Sequence, residues 1–347
     1  MDVRPQFADD LTERFWATTE GIRFVGKSSR VLAVGLISVL LGCATVLAGA
    51  EPARADDPVF IDWTSLLPSW SDAYDPNSAN ECVSGKSTCI DKTIREMQRR
   101  FDPLAQACSH TAVFGLAYLR TTQTYKWARD QQGFFVDTPY VNHEDAVFAK
   151  YYFDAYDNWA SGQRANVPQS WLIAFDAANG KQVSGSGDLF LGMSAHVNRD
   201  LPYVLASIGL TFPDGTSRKA DHDKVNQFLN AVLDPLLAEE AARFDSATDD
   251  ARDPLLLGYT STFQLLAAWR ETAWRNAERL VNAPDAAARA QVAQSIEDYA
   301  TGVAQMLKAA DAYVPPFTTT ASRDSYCSSH KGATSPIAYT FGTPSPW

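Results

Sequence analysis

The segment that most constrains the fold is a long apolar stretch in the middle of the chain, residues 188–209. If the stretch is helical, apolar residues occupy most of its faces. A helix that is apolar nearly all round has to be covered on all sides. The sequence therefore predicts a buried central helix surrounded by other elements. Four polar residues interrupt the stretch: His196, Asn198, Arg199 and Asp200.

The segments on either side of this stretch also carry apolar residues at helical spacing. Strand-like alternation is absent over any useful length, and apolar residues make up 46% of the 347 positions, enough for one large core or two small ones. We therefore expect an all-α fold with a single multi-helix globular domain. The surrounding helices are predicted near 94–104, 105–129, 138–159, 168–178, 221–245, 254–282 and 284–312.

The composition divides the chain into four parts. Residues 1–55 are a predicted signal peptide, and 56–90 form a predicted irregular arm rich in Pro, Ser and Trp. Residues 91–314 contain the helical domain. Residues 315–347 follow a Pro-Pro pair, are rich in Ser, Thr and Pro, and are expected to form an extended tail.

The N-terminus predicts export. Basic residues precede a nearly uninterrupted apolar run at 31–50, and the small residues Ala53 and Ala55 mark a cleavage site before Asp56. This places the mature protein outside the cytoplasm, secreted or in the cell envelope. Three alternatives stay open: lipidation at Cys43, retention of the run as a membrane anchor, since it is long enough to span a bilayer, and a start codon assigned too far upstream. Any membrane attachment would come only through this leader.

Four cysteines remain after the leader, an even number that suits an oxidising compartment. Four cysteines allow three pairings, and we favour Cys82 with Cys89, across a short polar loop, and Cys108 with Cys327. The second bridge would fix the tail beside His110, which makes the tail a candidate lid. A zinc site is the competing interpretation, although the spacing contains no C-x-x-C pair.

The net charge of -11 argues against nucleic acid or an anionic lipid surface as a partner. Such partners require clustered Lys and Arg, and no basic run is present. A small-molecule or lipid-like ligand remains as the expected partner.

His196 and Asp200 are spaced i and i+4, which places them on one face of the central helix. They could hold a divalent metal ion together with Glu271, or act without a metal as a base and its orienting carboxylate, with Asn198 as a positioning amide. A buried polar network with a structural role is the alternative. Further candidate ligands lie in other predicted helices: His110, His143, Glu144 and Asp145.

Two further stretches place polar residues among aromatic ones. Trp269, Arg270, Glu271 and Trp274 lie in one helix, and Arg270 or Glu271 could face the His196 site. The second stretch runs from Asp145 to Tyr156. From these stretches we predict a substrate-binding set of Asp145, Tyr152, Trp269, Arg270 and Trp274. Alternatively, the Trp pair fills the core while the charged residues form surface pairs, and the aromatic residues of the second stretch are core.

Common hydrolase and nucleotide-binding motifs are missing from the chain. Residues 192–196 lack the final Gly of a nucleophile elbow, and the strand that should precede it is absent. A phosphate-binding Gly loop and an H-E-x-x-H helix are also absent.

Residues 190–202 resemble the G-M-N-A-H-I-N-x-D-L stretch of the domain-of-unknown-function family 5995. The stretches around Asp145–Ala155 and Trp269–Trp274 are similar to that family as well, so the resemblance covers about residues 104–282. Ser194 stands where the family usually has Asn, which puts a role for that side chain in doubt. The resemblance implies a helical fold and an actinobacterial source, and it implies no activity. It also implies that the three stretches share one interior pocket.

These observations predict an extracytoplasmic enzyme, most plausibly a hydrolase, in which His196, Asn198 and Asp200 form the catalytic group. The alternative is a non-catalytic helical protein that binds an apolar or cell-envelope ligand and uses the same residues as a structural network.

Overall fold

The computed structural model describes residues 57–251 and 257–339. All of these residues lie in one structural unit, Glu51–Trp347. The predicted leader, its cleavage site and its lipidation and anchor alternatives lie outside the described residues. Within the described ranges, no helix is both long enough and apolar enough to cross a bilayer.

Helices form nearly all the regular structure of the described residues, and the β pairing there is limited to isolated bridges. The predicted all-α fold is confirmed. The helices are α1 Ser87–Gln106, α2 Ala112–Arg129, α3 Thr138–Ala160, α4 Gln169–Asn179, α5 Gly185–Ser194, α6 Leu201–Ile208, α7 Lys219–Arg243, α8 Leu257–Val281, α9 Ala286–Asp311 and α10 Ala321–His330. Short 3₁₀ turns occur at Trp63–Leu66, Arg164–Asn166 and Ser246–Ala251.

The predicted central helix is also confirmed, with one local change of winding. Helices α5 and α6 are joined by a π-helical segment, Ala195–Asp200, so residues 185–208 are helical throughout. We call this continuous element the central rod. It contacts α2, α3, α4, α8 and α9, and Leu189, Leu191 and Leu201 are fully buried. An apolar helix covered on all sides is the arrangement that its composition requires.

The chain leaves the helical path between α1 and α2, where the sequence predicted an uninterrupted stretch from 105 to 129. Cys108 adopts a left-handed backbone conformation with φ of 53°. Such a conformation ends a helix of L-residues, because it cannot be continued without steric cost. The turn presents the Cys108 side chain to the C-terminal segment.

The arm is irregular, as expected, apart from its 3₁₀ turn and the start of α1 at Ser87. The tail differs from the expectation of an extended segment, because Ala321–His330 forms α10. Tertiary contacts explain the helix: Arg323 is buried and donates through Nη1 to Asp188 Oδ2 at 2.7 Å. Composition favoured an extended tail, and this buried ion pair together with a disulfide outweighs that local preference.

Both favoured disulfides are present. The Cα atoms are 5.0 Å apart in Cys82–Cys89 and 6.0 Å apart in Cys108–Cys327, both within the usual range. The first bridge closes a loop beside α1. The second joins residues separated by 219 positions and attaches α10 to the turn before α2.

The two bridges should differ in their contribution to stability. On the chain-entropy model, closing the long loop is worth about 5 kcal/mol and the short loop about 2 kcal/mol. We predict that Cys108→Ser with Cys327→Ser lowers the free energy of urea unfolding by more than Cys82→Ser with Cys89→Ser does. Equal losses in the two double variants would show that chain entropy does not govern either bridge.

Candidate functional site

A cavity lies between the central rod and helices α2, α3, α7 and α8. The cavity has a volume of about 120 Å³. A single water molecule needs about 10 to 15 Å³ of cavity volume. The cavity has room for several waters or for an organic ligand. Most of its wall is aliphatic or aromatic. Among the described residues, seven side chains bring ionisable or hydroxyl groups to it: Tyr118, Thr121, Tyr125, Glu144, Asp145, His196 and Arg270.

The π-helical segment fixes one of these groups, the imidazole of His196. Its Nδ1 lies 3.0 Å from Asp200 Oδ2. The same carboxylate accepts hydrogen bonds from Trp171 Nε1 at 2.8 Å and from Arg199 Nη1 at 3.1 Å. Because a carboxylate accepts, the neutral imidazole carries its proton on Nδ1 and leaves Nε2 as a bare acceptor.

Aromatic rings hold the imidazole plane in place. Phe148 stacks on His196 with ring centroids 3.4 Å apart and an angle of 4° between the planes. Tyr118 packs edge-on at 4.5 Å and Phe114 at 5.8 Å. Gly192 makes room for this wall, since a Cβ at that position would collide with the Phe114 ring. The ring therefore cannot turn away from Asp200 without displacing the core.

Burial keeps His196 neutral. Removal from water lowers its pKa below the ordinary 6.5, against the opposing effect of Asp200. The Nε2 atom is buried and has no hydrogen-bond partner. A neutral imidazole with a fixed tautomer and an unoccupied nitrogen is suited to accept a proton.

Two further cavity groups carry protons that they can donate. Burial, followed by the charge of Glu144, raises the pKa of Asp145 from 3.8 to about 8, and burial raises the pKa of Tyr118 well above 10. Both side chains are therefore protonated at neutral pH. Neither Tyr118 Oη nor Asp145 Oδ2 has a hydrogen-bond partner. Buried polar atoms without partners are costly, so their presence in one cavity points to a bound species that pairs with them.

Glu144 and Arg270 lie in the wall as well. Arg270 is 5% exposed and donates through Nε to Asn226 Oδ1 at 2.9 Å and through Nη2 to the carbonyl oxygen of His222 at 2.7 Å. These acceptors are uncharged. Burial, opposed by the charge of Glu144, lowers the pKa of Arg270 to about 10, and burial raises that of Glu144 to about 7.

Comparison with known proteins identifies the family. Residues 90–310 match the model of a family of unknown function, DUF5995, over more than half of the chain. The chain belongs to DUF5995. No curated protein and no solved structure matches it.

The DUF5995 chain brings His196, Asp145 and Arg270 together in the wall of one cavity, with Asp200 directly behind His196. Asn198 is not part of the wall. Its Nδ2 donates to Ser194 Oγ at 3.1 Å, so its amide is aligned with the rod. Of the predicted catalytic residues, His196 alone lies in the cavity wall.

Tyr152, Trp269 and Trp274 do not line the cavity of the DUF5995 chain. Tyr152 is buried behind Phe114, and its ring centroid is 6.2 Å from that of His196. The two Trp rings are buried in an apolar cluster with Leu205 and Val303, which do not line the cavity. Their predicted role in substrate binding is therefore replaced by a packing role, which was the alternative for the Trp pair.

Glu271 lies at the protein surface. Its carboxylate pairs with Lys219 at 2.7 Å and with Arg275 at 2.8 Å. The predicted metal set of His196, Asp200 and Glu271 is therefore not assembled. Within residues 57–251 and 257–339, no group of three or more His, Cys, Asp or Glu side chains is placed to hold a metal ion.

The other candidate ligands divide between three places. Glu144 lies in the cavity wall. His110 belongs to a separate buried cluster with Arg323 and Asp324, beside the Cys108–Cys327 bridge. His143 contacts the carbonyl oxygens of Cys82 at 2.9 Å and Asp72 at 2.8 Å, and so fastens the arm to α3. No described tail residue lines the cavity, so α10 does not form the expected lid there.

Sequence reasoning did not identify Tyr118 or the part of the wall formed by α7. Tyr118 lies with Thr121 and Tyr125 on an otherwise apolar face of α2, and these hydroxyl groups were the signal available. The apolar spacing of α7 indicated burial but could not distinguish a solid core from a cavity wall.

The protonated state of Asp145 can be tested through stability. The folded protein holds this proton up to about pH 8, whereas the unfolded chain releases it near 3.8. Stability should therefore fall as the pH rises between these values. We predict that Asp145→Asn removes this penalty, so that the wild type loses up to about 1.4 kcal/mol per pH unit relative to the variant.

Urea unfolding at pH 5, 7 and 8 provides the measurement. The matched control is Asp298→Asn, on the exposed face of α9. Parallel pH curves for wild type and Asp145→Asn would mean that the folded protein holds Asp145 ionised.

Proposed function

We propose that this protein is a metal-free hydrolase of small apolar carbonyl compounds such as esters. One observation carries the proposal: the unpartnered Nε2 of a neutral, carboxylate-anchored His196 lies in an apolar cavity beside two unpartnered proton donors. A base and hydrogen-bond donors in one cavity are the groups that addition of water to a carbonyl requires.

The reaction begins with a water molecule at His196 Nε2. The imidazole removes one proton from the water as the water oxygen bonds to the carbonyl carbon. The carbonyl oxygen becomes an oxyanion, which accepts hydrogen bonds from Tyr118 and protonated Asp145. Asp200 stabilises the imidazolium that forms. As the tetrahedral species collapses, the bond to the leaving oxygen breaks and His196 Nε2 returns the proton to it, giving an acid and an alcohol.

Water is the nucleophile in this scheme because the nearest serine on the rod is not available. Ser194 is fully buried, accepts a hydrogen bond from Asn198, and is not part of the cavity wall. The scheme also needs no metal. One nitrogen of His196 is held by Asp200, and Asp145 retains its proton at neutral pH.

A second function is favoured by the wall itself, whose side chains are mainly aliphatic and aromatic. A cavity of this kind could hold an apolar or cell-envelope ligand without chemistry. In that case Asp200 and His196 would form a structural network. Turnover separates this function from the first, since binding alone predicts none.

The catalytic proposal predicts a loss of hydrolysis when the base is removed. On p-nitrophenyl esters of increasing acyl length, His196→Ala should lower kcat/KM by at least about 100-fold, as expected for loss of a general base. Asp200→Asn should also lower kcat/KM, because His196 would then adopt the wrong tautomer. His330→Ala, exposed on α10, is the matched control and should retain activity.

The pH profile is a second readout that a structural role would not produce. The kcat/KM value should rise as the pH rises through the lowered pKa of His196 and fall as Asp145 loses its proton near pH 8. A folded wild type that hydrolyses no ester in the series would overturn the proposal and leave the binding function.

Two disulfides fit an oxidising, extracytoplasmic compartment. We propose in addition that the protein is exported through residues 1–55. N-terminal sequencing of the protein recovered from an expressing bacterial host should find a first residue near Asp56, and recovery of the intact leader on membranes would favour the anchor instead.

A further inference from the structure

The cavity is elongated along two antiparallel helices. Helix α7 contributes residues spaced by one, three and four positions over the twelve residues 225–236, which span about 16 Å along the helix axis. Helix α2 contributes a similar stripe over the same length. The rings of Tyr125 and Phe228 have centroids 6.0 Å apart, and Arg120 pairs with Glu239, so the helices run in opposite directions. The two stripes are Val225, Phe228, Leu229, Val232, Leu233 and Leu236, and Phe114, Ala117, Tyr118, Thr121 and Tyr125.

The polar groups lie at opposite ends of this channel. Arg270 bonds to His222 and Asn226, so its guanidinium lies at the Val225 end of the α7 stripe. His196 packs on Phe114 and Tyr118, at the other end of the α2 stripe from Tyr125. Tyr118 and Tyr125 are seven residues apart, so about 10 Å of mainly apolar wall separates the two ends.

Arg270 differs from the other deeply buried arginines among the described residues. Arg100 contacts Asp157 and Glu96, and Arg323 contacts Asp188. Among the described residues, no carboxylate lies within ion-pair distance of Arg270, and none accepts a hydrogen bond from its Nη1 atom. A guanidinium in a cavity wall with a donor that the described residues leave unused is suited to pair with an anion.

We infer that the cavity binds a linear long-chain carboxylate, with its head on Arg270 and its apolar chain along α7 toward His196. A carboxylate offers two acceptor oxygens to the guanidinium fork. Glu144 lies in the same wall and can donate to the same head when it is protonated, and burial raises its pKa to about 7. An extended dodecyl chain is about as long as the stripe.

This inference deepens the proposed function and rests on it for one point, the identity of the reacting end. The preferred substrates would carry a free carboxylate at Arg270 and an ester about 10 Å away, near His196. Binding of the chain itself does not depend on catalysis.

Calorimetric titration of the full mature chain with dodecanoate and with methyl dodecanoate tests the inference. Dodecanoate should bind at least tenfold more tightly than the methyl ester, because the ester lacks the charged head. Arg270→Gln should remove this difference, while Arg275→Gln, on the exposed face of α8, should preserve it. Equal affinity for the two ligands in the wild type, or an unchanged preference in a folded Arg270→Gln, would overturn the inference.

A second variant keeps the test decisive if Arg270→Gln fails to fold. Leu233→Trp should obstruct the part of the channel far from Arg270 and weaken dodecanoate binding at least tenfold, while octanoate binding stays within about twofold of wild type. Equal effects on both chain lengths would overturn the assigned direction of the chain.

The binding and hydrolysis results can fail independently. Head-dependent binding without ester turnover would support the carboxylate site and contradict the hydrolase proposal. Ester turnover without dodecanoate binding would support the hydrolase proposal and contradict the carboxylate site.

Discussion

The hydrogen bond between His196 and Asp200 is the interaction on which the site depends. Asp200 is fully buried and accepts from donors on α4 and on the rod itself, while Arg199 continues the network to Glu297 of α9 at 2.9 Å. Leaving a buried carboxylate without these donors would be strongly destabilising. The folded core therefore determines the proton position on His196, and with it the direction in which Nε2 faces.

A π-helical segment makes this arrangement compatible with a buried rod. Six residues from Ala195 to Asp200 are wound with i to i+5 bonds, and ordinary α-helix continues on both sides. Single π turns inside helices often occur at functional sites. Here the segment contains both His196 and Asp200. The change of winding therefore lies where polar residues interrupt the apolar sequence.

The sequence predicted the helices, the central position of the rod and both disulfides, because apolar spacing and cysteine number report directly on burial and cross-linking. It could not predict the change of winding, since an apolar stripe is similar in an α-helix and across one π turn. It also could not choose between Arg270 and Glu271. These neighbours differ by about 100° around α8, and only packing of Trp269 and Trp274 against the rod sets which one enters the cavity.

A second buried polar cluster provides a comparison for the cavity. Around His110, Arg323 and Asp188 there are also buried atoms without partners, Arg323 Nη2 and Asp188 Oδ1. That cluster encloses no space for a water molecule. It fastens α10 to the body with an ion pair and a disulfide, which is a structural task.

At His196 the unpartnered atoms belong to side chains that line a cavity instead. Tyr118, Asp145 and His196 each retain a donor or acceptor that the fold leaves unused, and their cavity has room for the group that would use it. These unpartnered atoms lower the stability of the folded protein. Unpartnered buried atoms that contribute nothing to the structure are expected where a bound molecule supplies the missing partners.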